Sequence, residues 1–266
     1  MRKIGIVGCG VIGTKIALAI DKKKIMADLV AIYDINHNKS EELLHKLKKV
    51  SPKIVTELKE LVDISELVIE TATPKVVPEL AKLTLNRKKD IFVLSVGGLL
   101  ANQWIFQLAK KNNSKVYFPS GAIVGIDGLK ASKFGKIKSV SLTTSKPIST
   151  LINNPYFKKY RDNLSSIKKP KIIYEGNAKD AIKYFPQNIN VAGTIAISGI
   201  GSEKTKVKII ALPDKKINKN IHEIEIITNF GRIYTKTENL PSKENPKTSQ
   251  LAIYSAISTL AELCNK

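Results

Sequence analysis

The sequence predicts an α/β protein: a doubly wound parallel sheet at the N-terminus, followed by a second α+β domain built on a mixed or antiparallel sheet. Three observations carry this. Over the first 120 residues, short apolar runs alternate with segments of helical period, the pattern of strands joined by crossover helices. Beyond residue 137 the grammar changes to longer alternating runs with few helices. The length of 266 residues suits two moderate domains or one large one and is enough for a substantial core.

The elements follow in order. Lys3 to Val7 reads as a short buried strand and Thr14 to Ile20 as the helix after it. Leu29 to Tyr33 is a second strand, ending at Asp34. Between strand and helix lies Gly8-Cys9-Gly10-Val11-Ile12-Gly13. Three spaced glycines between a strand and a helix, with an acid about 20 residues further on, form the dinucleotide-binding fingerprint of a Rossmann sheet. Gly8 permits the tight turn, Gly10 lets backbone approach a pyrophosphate, and Gly13 lets the helix pack on the sheet. The N–H groups at the helix start, on Val11 and Ile12, face the phosphates. Asp34 accepts the adenosine ribose hydroxyls, which points to NAD; Asn36, His37 and Lys39 close by leave NADP possible.

Glu41 to Val50 has helical period, Ile54 and Val55 begin a short strand, and Leu58 to Val62 is a short helix. Leu67 to Thr71 is a strand whose following loop, Ala72-Thr73-Pro74, lies at a carboxyl end and so lines the nucleotide crevice. Val76 to Leu85 is a helix, Ile91 to Val96 a strand, Asn102 to Lys111 a helix and Val116 to Pro119 a short strand. The first domain is expected to span residues 1–121. In residues 122–245, Ile137 to Thr144, Ile172 to Glu175, Lys206 to Leu212, His222 to Thr228 and Gly231 to Lys236 read as strands. Lys179 to Phe185 and Val191 to Ile197 read as helices. Pro246 to Leu263 reads as an amphipathic terminal helix, expected to pack back on the first domain.

Composition narrows the function classes. The net charge of +21 invites a nucleic-acid reading. Only four of the basic residues are arginine (Arg2, Arg87, Arg161, Arg232), and the lysines are scattered. Base and phosphate readers favour the arginine fork, so a biased, A+T-rich coding composition is the better account and no nucleic-acid partner is expected. Two cysteines, Cys9 and Cys264, make no disulfide framework. Cys9 reads as a small residue fitting the glycine turn. Three scattered histidines and two distant cysteines give no metal-ligand spacing. With no leader and no apolar run of membrane length, a cytoplasmic protein without a membrane partner is expected.

Residue by residue, the second domain offers few candidates. His37 and His45 read as surface residues, and His222 opens an alternating strand. The chain as a whole is more telling. The glycine fingerprint, Ser120-Gly121-Ala122-Ile123 with Gly125 to Leu129, the Phe185-Pro186-x-Asn188-x-Asn190-Val191-Ala192 stretch and the closing Asn245-Pro246-Lys247-Thr248-Ser249 together resemble the L-aspartate dehydrogenase family. The likeness runs in the same order over nearly the whole chain, and related folds include dihydrodipicolinate reductase and homoserine dehydrogenase.

The resemblance implies hydride transfer from Cα of L-aspartate to NAD(P), leaving iminoaspartate. That imine gives oxaloacetate and ammonia, or passes to quinolinate synthase and so to pyridine nucleotide. It also implies that Ala122 and Asn190 touch the cofactor, with Asn188 the nearby alternative in the Asn190 stretch, that His222 is the active-site residue, and that the protein is a homodimer. An amine must be neutral before hydride leaves, and imine hydrolysis needs an activated water; a histidine titrating near neutrality serves either. Lys247, Thr248 and Ser249 are candidate donors to the substrate carboxylates, along with Asn188. Two other readings stay open: a sibling reductase of an amino-acid pathway, against which the missing His-His-x-x-Lys pattern speaks, and a redox sensor that binds NAD(H) without catalysis.

Overall fold

The computed structural model describes residues 1–152, 154, 156, 167–185, 190–214, 219–240, 242 and 248–265. The chain forms two compact units, Met1–Pro119 with Ile253–Lys266, and Ser120–Ala252.

The first unit holds a six-stranded sheet of β1 (Arg2–Val7), β2 (Ala27–Tyr33), β3 (Lys53–Ile54), β4 (Leu67–Glu70), β5 (Asp90–Val93) and β6 (Val116–Tyr117). Their order is β3-β2-β1-β4-β5-β6, and every pairing is parallel. The order reverses between β1 and β4, the switch point at which such sheets open a crevice. Both faces are covered, which is why β1 and β4 read as continuous apolar runs. Ile4 and Ile6 point into one core with Ile16 and Ile20 of α1 (Val11–Asp21) and Leu43 of α2 (His37–Lys46). Ala256 and Leu260 of the terminal helix Gln250–Cys264 join that same core. Gly5 points the other way, where a Cβ would stand 2.6 Å from Leu61 of α3 (Leu58–Ile64).

The second unit holds β7 (Ile137–Pro147), β8 (Lys171–Asn177), β9 (Thr205–Leu212), β10 (Asn220–Thr228) and β11 (Arg232–Asn239) in the order β11-β10-β7-β9-β8. β7 and β9 run parallel and the other pairs antiparallel, so the sheet is mixed. Alternation along β7 and β10 puts Val140, Leu142, Thr144, His222, Ile224 and Ile226 on the buried face. The opposite face of β10 and β11 carries charge: Glu225 with Arg232, Glu223 with Tyr234, and Glu238 with both Lys219 and Lys236. On these two strands the outer face is a solvated ion-pair ladder.

Several boundaries differ from the sequence reading, each for a physical reason. The helix expected over Glu41 to Val50 runs from His37 to Lys46. Residues 48–50 leave the helix because Asp21 Oδ1 accepts the N–H groups of Lys48, Lys49 and Val50 at 3.0, 2.6 and 3.0 Å. Those donors hold the Asp21 carboxyl below its usual range, the Lys49 N–H most of all. The strand expected over Ile91 to Val96 stops at Val93, and a short helix, Val96–Ala101, follows at once. That helix is buried over Val96 to Leu100, so it shows no amphipathic period. Its Gly98 sits where a Cβ would be 2.9 Å from the Pro74 carbonyl oxygen. β7 runs past Thr144 to Pro147, and a short helix, Ile126–Ala131, stands where the sequence reading has none. The terminal helix starts at Gln250, with Ser249 Oγ accepting the Ala252 N–H at 3.1 Å, an N-cap bond; residues 243–247 lie outside the described residues.

Leu260 is fully buried in the core of the first unit. Leu260→Ala is expected to lower unfolding free energy by about 2–5 kcal/mol, read from urea denaturation. A loss under about 0.5 kcal/mol, the range of an ordinary surface change, would mean that the terminal helix contributes nothing to that core.

Candidate active site

The crevice of the first unit is built from the carboxyl ends of β1, β2 and β4. Leaving β1, the chain turns at Gly8 with φ +99°, in the left-handed region that favours glycine. The Gly8 N–H donates to the Tyr33 carbonyl at 2.7 Å. A Cβ on Gly8 would lie 2.8 Å from Ala72 N, and one on Gly13 would lie 2.0 Å from the Gly8 carbonyl oxygen. Gly10 differs: a Cβ there would meet nothing within 4 Å. The space before Gly10 is therefore open, while Gly8 and Gly13 are locked by packing. Gly10 precedes α1 without a side-chain cap, so the N–H groups of the first turn, on Val11, Ile12 and Gly13, lack helical acceptors and can meet an anion.

Asp34 stands at the end of β2 as an oriented carboxylate. Its Oδ2 accepts the Cys9 N–H at 2.8 Å and its Oδ1 the Asn36 N–H at 2.9 Å. Gly8, Tyr33, Asp34, Ala72 and Thr73 line a cleft of about 560 Å³. Open space at Gly10, free N–H groups and a fixed carboxylate beyond them suit the pyrophosphate and ribose of a dinucleotide. Cys9 takes no part as a nucleophile. Its thiol lies 3.5 Å from Ser40 Oγ, and burial pushes it up to about 11. His37 and His45 are exposed, as expected, and His37 lies 3.6 Å from Glu41 one turn on.

In the second unit His222 is buried, with Nδ1 3.1 Å from Thr144 Oγ1 on the neighbouring strand. The register pairs these two residues directly. Lys146 follows two residues along β7 on the Thr144 side, and Thr144 and Lys146 both line a cavity of about 10 Å³ with Phe185 and Ala192. That is room for about one water. Burial brings the Lys146 ammonium down to about 8. Burial, and then the charge of Lys146, bring the His222 imidazole down to about 3. Against the expectation of a histidine titrating near neutrality, these two causes hold the imidazole in its neutral form near pH 7 when Lys146 is charged beside it.

The remaining candidates fall as follows. Ala122 is half-buried, and its carbonyl accepts from Asn239 Nδ2 at 2.9 Å and Thr237 Oγ1 at 3.1 Å. Asn190 is exposed at the start of the helix Asn190–Ser198. The Ser249 hydroxyl caps the terminal helix. The Thr248 carbonyl accepts the Ser242 N–H at 2.7 Å. Asn188 and Lys247 lie outside the described residues. Gly8, Gly10, Val11, Ile12, Gly13, Asp34, Ala72 and Thr73 thus come together in the first unit; His222 gathers with Thr144 and Lys146 in the second.

Sequence reasoning missed Lys146 and Thr144 because it ended β7 at Thr144 and counted Lys146 among many scattered lysines. A lysine in phase with the buried positions of an alternating strand was the available signal. It also passed over Glu70, a carboxylate closing the wholly buried strand Leu67–Glu70. Among the described residues, no group of three or more His, Cys, Asp or Glu is placed to hold a metal. No helix among them is long and apolar enough to cross a membrane.

Comparisons with known proteins place both halves of the chain. Residues 8–119 match the family described as homoserine dehydrogenase, NAD binding domain, and residues 127–263 match that described as aspartate dehydrogenase, C-terminal. The chain is 45% identical over 266 residues to the L-aspartate dehydrogenase of Methanosarcina barkeri, covering 99% of this chain and 97% of that protein. It is 41% identical over 271 residues to that of Nitrosopumilus maritimus, covering 100% and 97%. Among solved structures, aspartate dehydrogenase from Thermotoga maritima superposes with a TM-score of 0.73 at 26% identity, over 99% of this chain and 97% of that one. The scyllo-inositol dehydrogenase of Lactobacillus casei, at 16% identity and a TM-score of 0.57 over 100% and 88%, shares the fold. The glycine turn, the crevice behind it and the mixed sheet carrying His222 are those of a chain that belongs to the L-aspartate dehydrogenase family.

Proposed function

We propose that this protein oxidises L-aspartate, moving hydride from Cα to a nicotinamide dinucleotide and leaving iminoaspartate, which water converts to oxaloacetate and ammonia. The observation that carries this reading is the similarity to named L-aspartate dehydrogenases along the full length, through both halves of the chain. When bound, the dinucleotide supplies the hydride acceptor. The rest of the chemistry belongs to the chain's own residues.

Gly8, Gly10 and the first N–H groups of α1 hold the pyrophosphate, and Asp34 orients the ribose. Ala72 and Thr73 wall the crevice, while Ala122 and Asn190 make the further cofactor contacts that the family resemblance implies. In the second unit, the Lys146 ammonium draws in a substrate carboxylate. That pairing cancels the positive charge beside His222 and moves the imidazole upward from about 3. His222 then takes the proton that the substrate ammonium must lose before hydride can leave. It later returns a proton as water replaces nitrogen on the imine. Asn188, Lys247, Thr248 and Ser249 complete the candidate contacts to the substrate. A homodimer, and hand-off of the imine to quinolinate synthase, belong to this reading on the strength of the resemblance.

The test is nicotinamide reduction by the purified protein across L-aspartate, D-aspartate, other L-amino acids and homoserine. Turnover confined to L-aspartate is expected; silence with aspartate would end the reading. His222→Ala should lower kcat by roughly 10²-fold or more, the range of a lost acid–base group. Lys146→Met should instead raise the KM for aspartate roughly tenfold, the scale of one lost charge-assisted contact, and leave the cofactor KM alone. Near-normal turnover in the His222 variant would remove that residue from the mechanism.

NAD is the expected cofactor, with NADP tolerated, because the Asp34 carboxylate repels a 2′-phosphate while Lys39 partly offsets it. Asp34→Ala should shift the ratio of kcat/KM for NAD over NADP toward NADP. An unchanged ratio would show that Asp34 does not read the ribose.

A further inference from the structure

Glu70 is a carboxylate with no exposed surface at the end of β4, and the reaction does not use it. Its Oε1 accepts the Ala72 N–H at 2.8 Å and the Ser95 hydroxyl at 2.8 Å, and its Oε2 accepts the Ser95 N–H at 2.9 Å. The Glu70 carbonyl accepts the Leu94 N–H at 3.0 Å. One side chain thus binds the loop after β4 to the turn after β5. That loop is the crevice wall: Ala72 and Thr73 line the cleft with Gly8 and Asp34. It also abuts the glycine turn, where Thr71 Oγ1 donates to the Gly8 carbonyl at 2.6 Å.

We propose that Glu70 is a positioning residue for the dinucleotide crevice: its carboxylate ties the Ala72–Thr73 loop to Ser95 and so holds the wall against which the cofactor binds. The inference rests on the cofactor reading given above and adds to it a residue that touches no ligand.

The chemistry of the tie favours a carboxylate over its neutral relatives. Three donors converge on two oxygens. An ionised carboxylate accepts all three. An amide turns one of those atoms into a donor that faces the Ala72 N–H or the Ser95 N–H, and a buried mismatch of that kind is costly. A protonated acid avoids the clash only by donating to Ser95 Oγ in place of accepting from it, and loses the charge that strengthens all three bonds. Burial pushes the carboxyl up to about 7 against the pull of the Ser95, Ala72 and Leu94 hydrogen bonds. Those groups, facing it from its own loop and from the β5 side, are all uncharged. The tie therefore changes state across the neutral range: three charge-assisted bonds above it, weaker neutral bonds with the Ser95 hydroxyl reversed below it.

The experiment is the Kd for NADH by nicotinamide fluorescence, from pH 6 to 8.5, for the wild-type chain, Glu70→Gln and Ser95→Ala, each checked by its melting curve. For wild type, Kd should fall several-fold as pH rises from 6 to 8. Glu70→Gln should bind roughly tenfold more weakly at pH 8, the scale of one buried hydrogen bond, and lose the pH dependence. Ser95→Ala, which removes one donor and keeps the carboxylate, should weaken binding roughly threefold and keep a pH dependence. In turnover, the cofactor KM should carry the effect of Glu70→Gln and the aspartate KM should not move. A folded Glu70→Gln chain with wild-type Kd and pH profile overturns the proposal, as does a folded Ser95→Ala chain with an unchanged Kd. Failure of the wild-type chain to bind NADH would instead remove the cofactor reading, and this inference with it.

Discussion

The first unit is organised around a contact with no room for a side chain. Gly8, in a left-handed turn, sits so close to the loop after β4 that a Cβ would be 2.8 Å from Ala72 N, and Gly13 sits against the Gly8 carbonyl itself. Two neighbouring strands and one helix therefore meet at a single point. That point fixes where the N–H groups of α1 emerge and where Asp34, through the Cys9 N–H, is held. A larger residue at either glycine would part the turn from the loop and open the place where a pyrophosphate is expected to lie. Gly10 can be small for the opposite reason: it faces vacant space. Of the three glycines, two are fixed by packing, and the third leaves the space that the proposed pyrophosphate would need.

Burial shapes the chemistry as much as the choice of residue does. His222 alone has an ordinary pKa in the neutral range. On the core face of a mixed sheet, beside Lys146, it drops to about 3. Lys146 itself is brought down to about 8 by the same lack of water. The free site thus combines a neutral imidazole with an ammonium that is readily deprotonated. This state is suited to a substrate that brings its own negative charge, since a carboxylate at Lys146 stabilises the ammonium and relieves the imidazole together.

What the sequence disclosed, and what it concealed, divides along physical lines. The glycine turn and Asp34 are legible because the chemistry that needs them is local: a turn, a helix start and an acid at a fixed offset. The mixed second sheet is legible because alternation has a period of two whichever strand is its neighbour. Lys146 and Thr144 are not, because their meaning comes from His222, which pairs with Thr144 across 78 residues of sequence and is shifted by the charge of Lys146. Residues 48–50 fail to continue a helix because Asp21, far off in sequence, takes their N–H groups. The helix Val96–Ala101 is not legible because a helix buried along its length has no polar face to set its period. The roles of Asn188 and Lys247 came only from likeness to a family, as did the role given to His222.

Glu70 and Lys146 share a thermodynamic position. A carboxyl raised from its usual value to about 7 contributes stability at acid pH that is lost as pH rises from about 4.5 to 7. For Glu70 that loss is on the order of 3 kcal/mol once it is ionised. An ammonium lowered to about 8 works in the mirror sense: its penalty is absent above the unfolded value and grows as pH falls toward 8. Near neutral pH both groups are substantially charged, and both cost stability there. At Lys146 an apolar residue would relieve that cost; at Glu70 it would exchange the cost of a buried charge for three donors left without an acceptor. The chain keeps instead a carboxylate whose three hydrogen bonds run to the crevice wall, and an ammonium beside the one buried imidazole among its described residues. Marginal stability leaves little room for such penalties. Their placement at the crevice wall and beside His222, and not in the Ile4–Leu260 core, puts that cost where the proposed binding and proton transfer would use it.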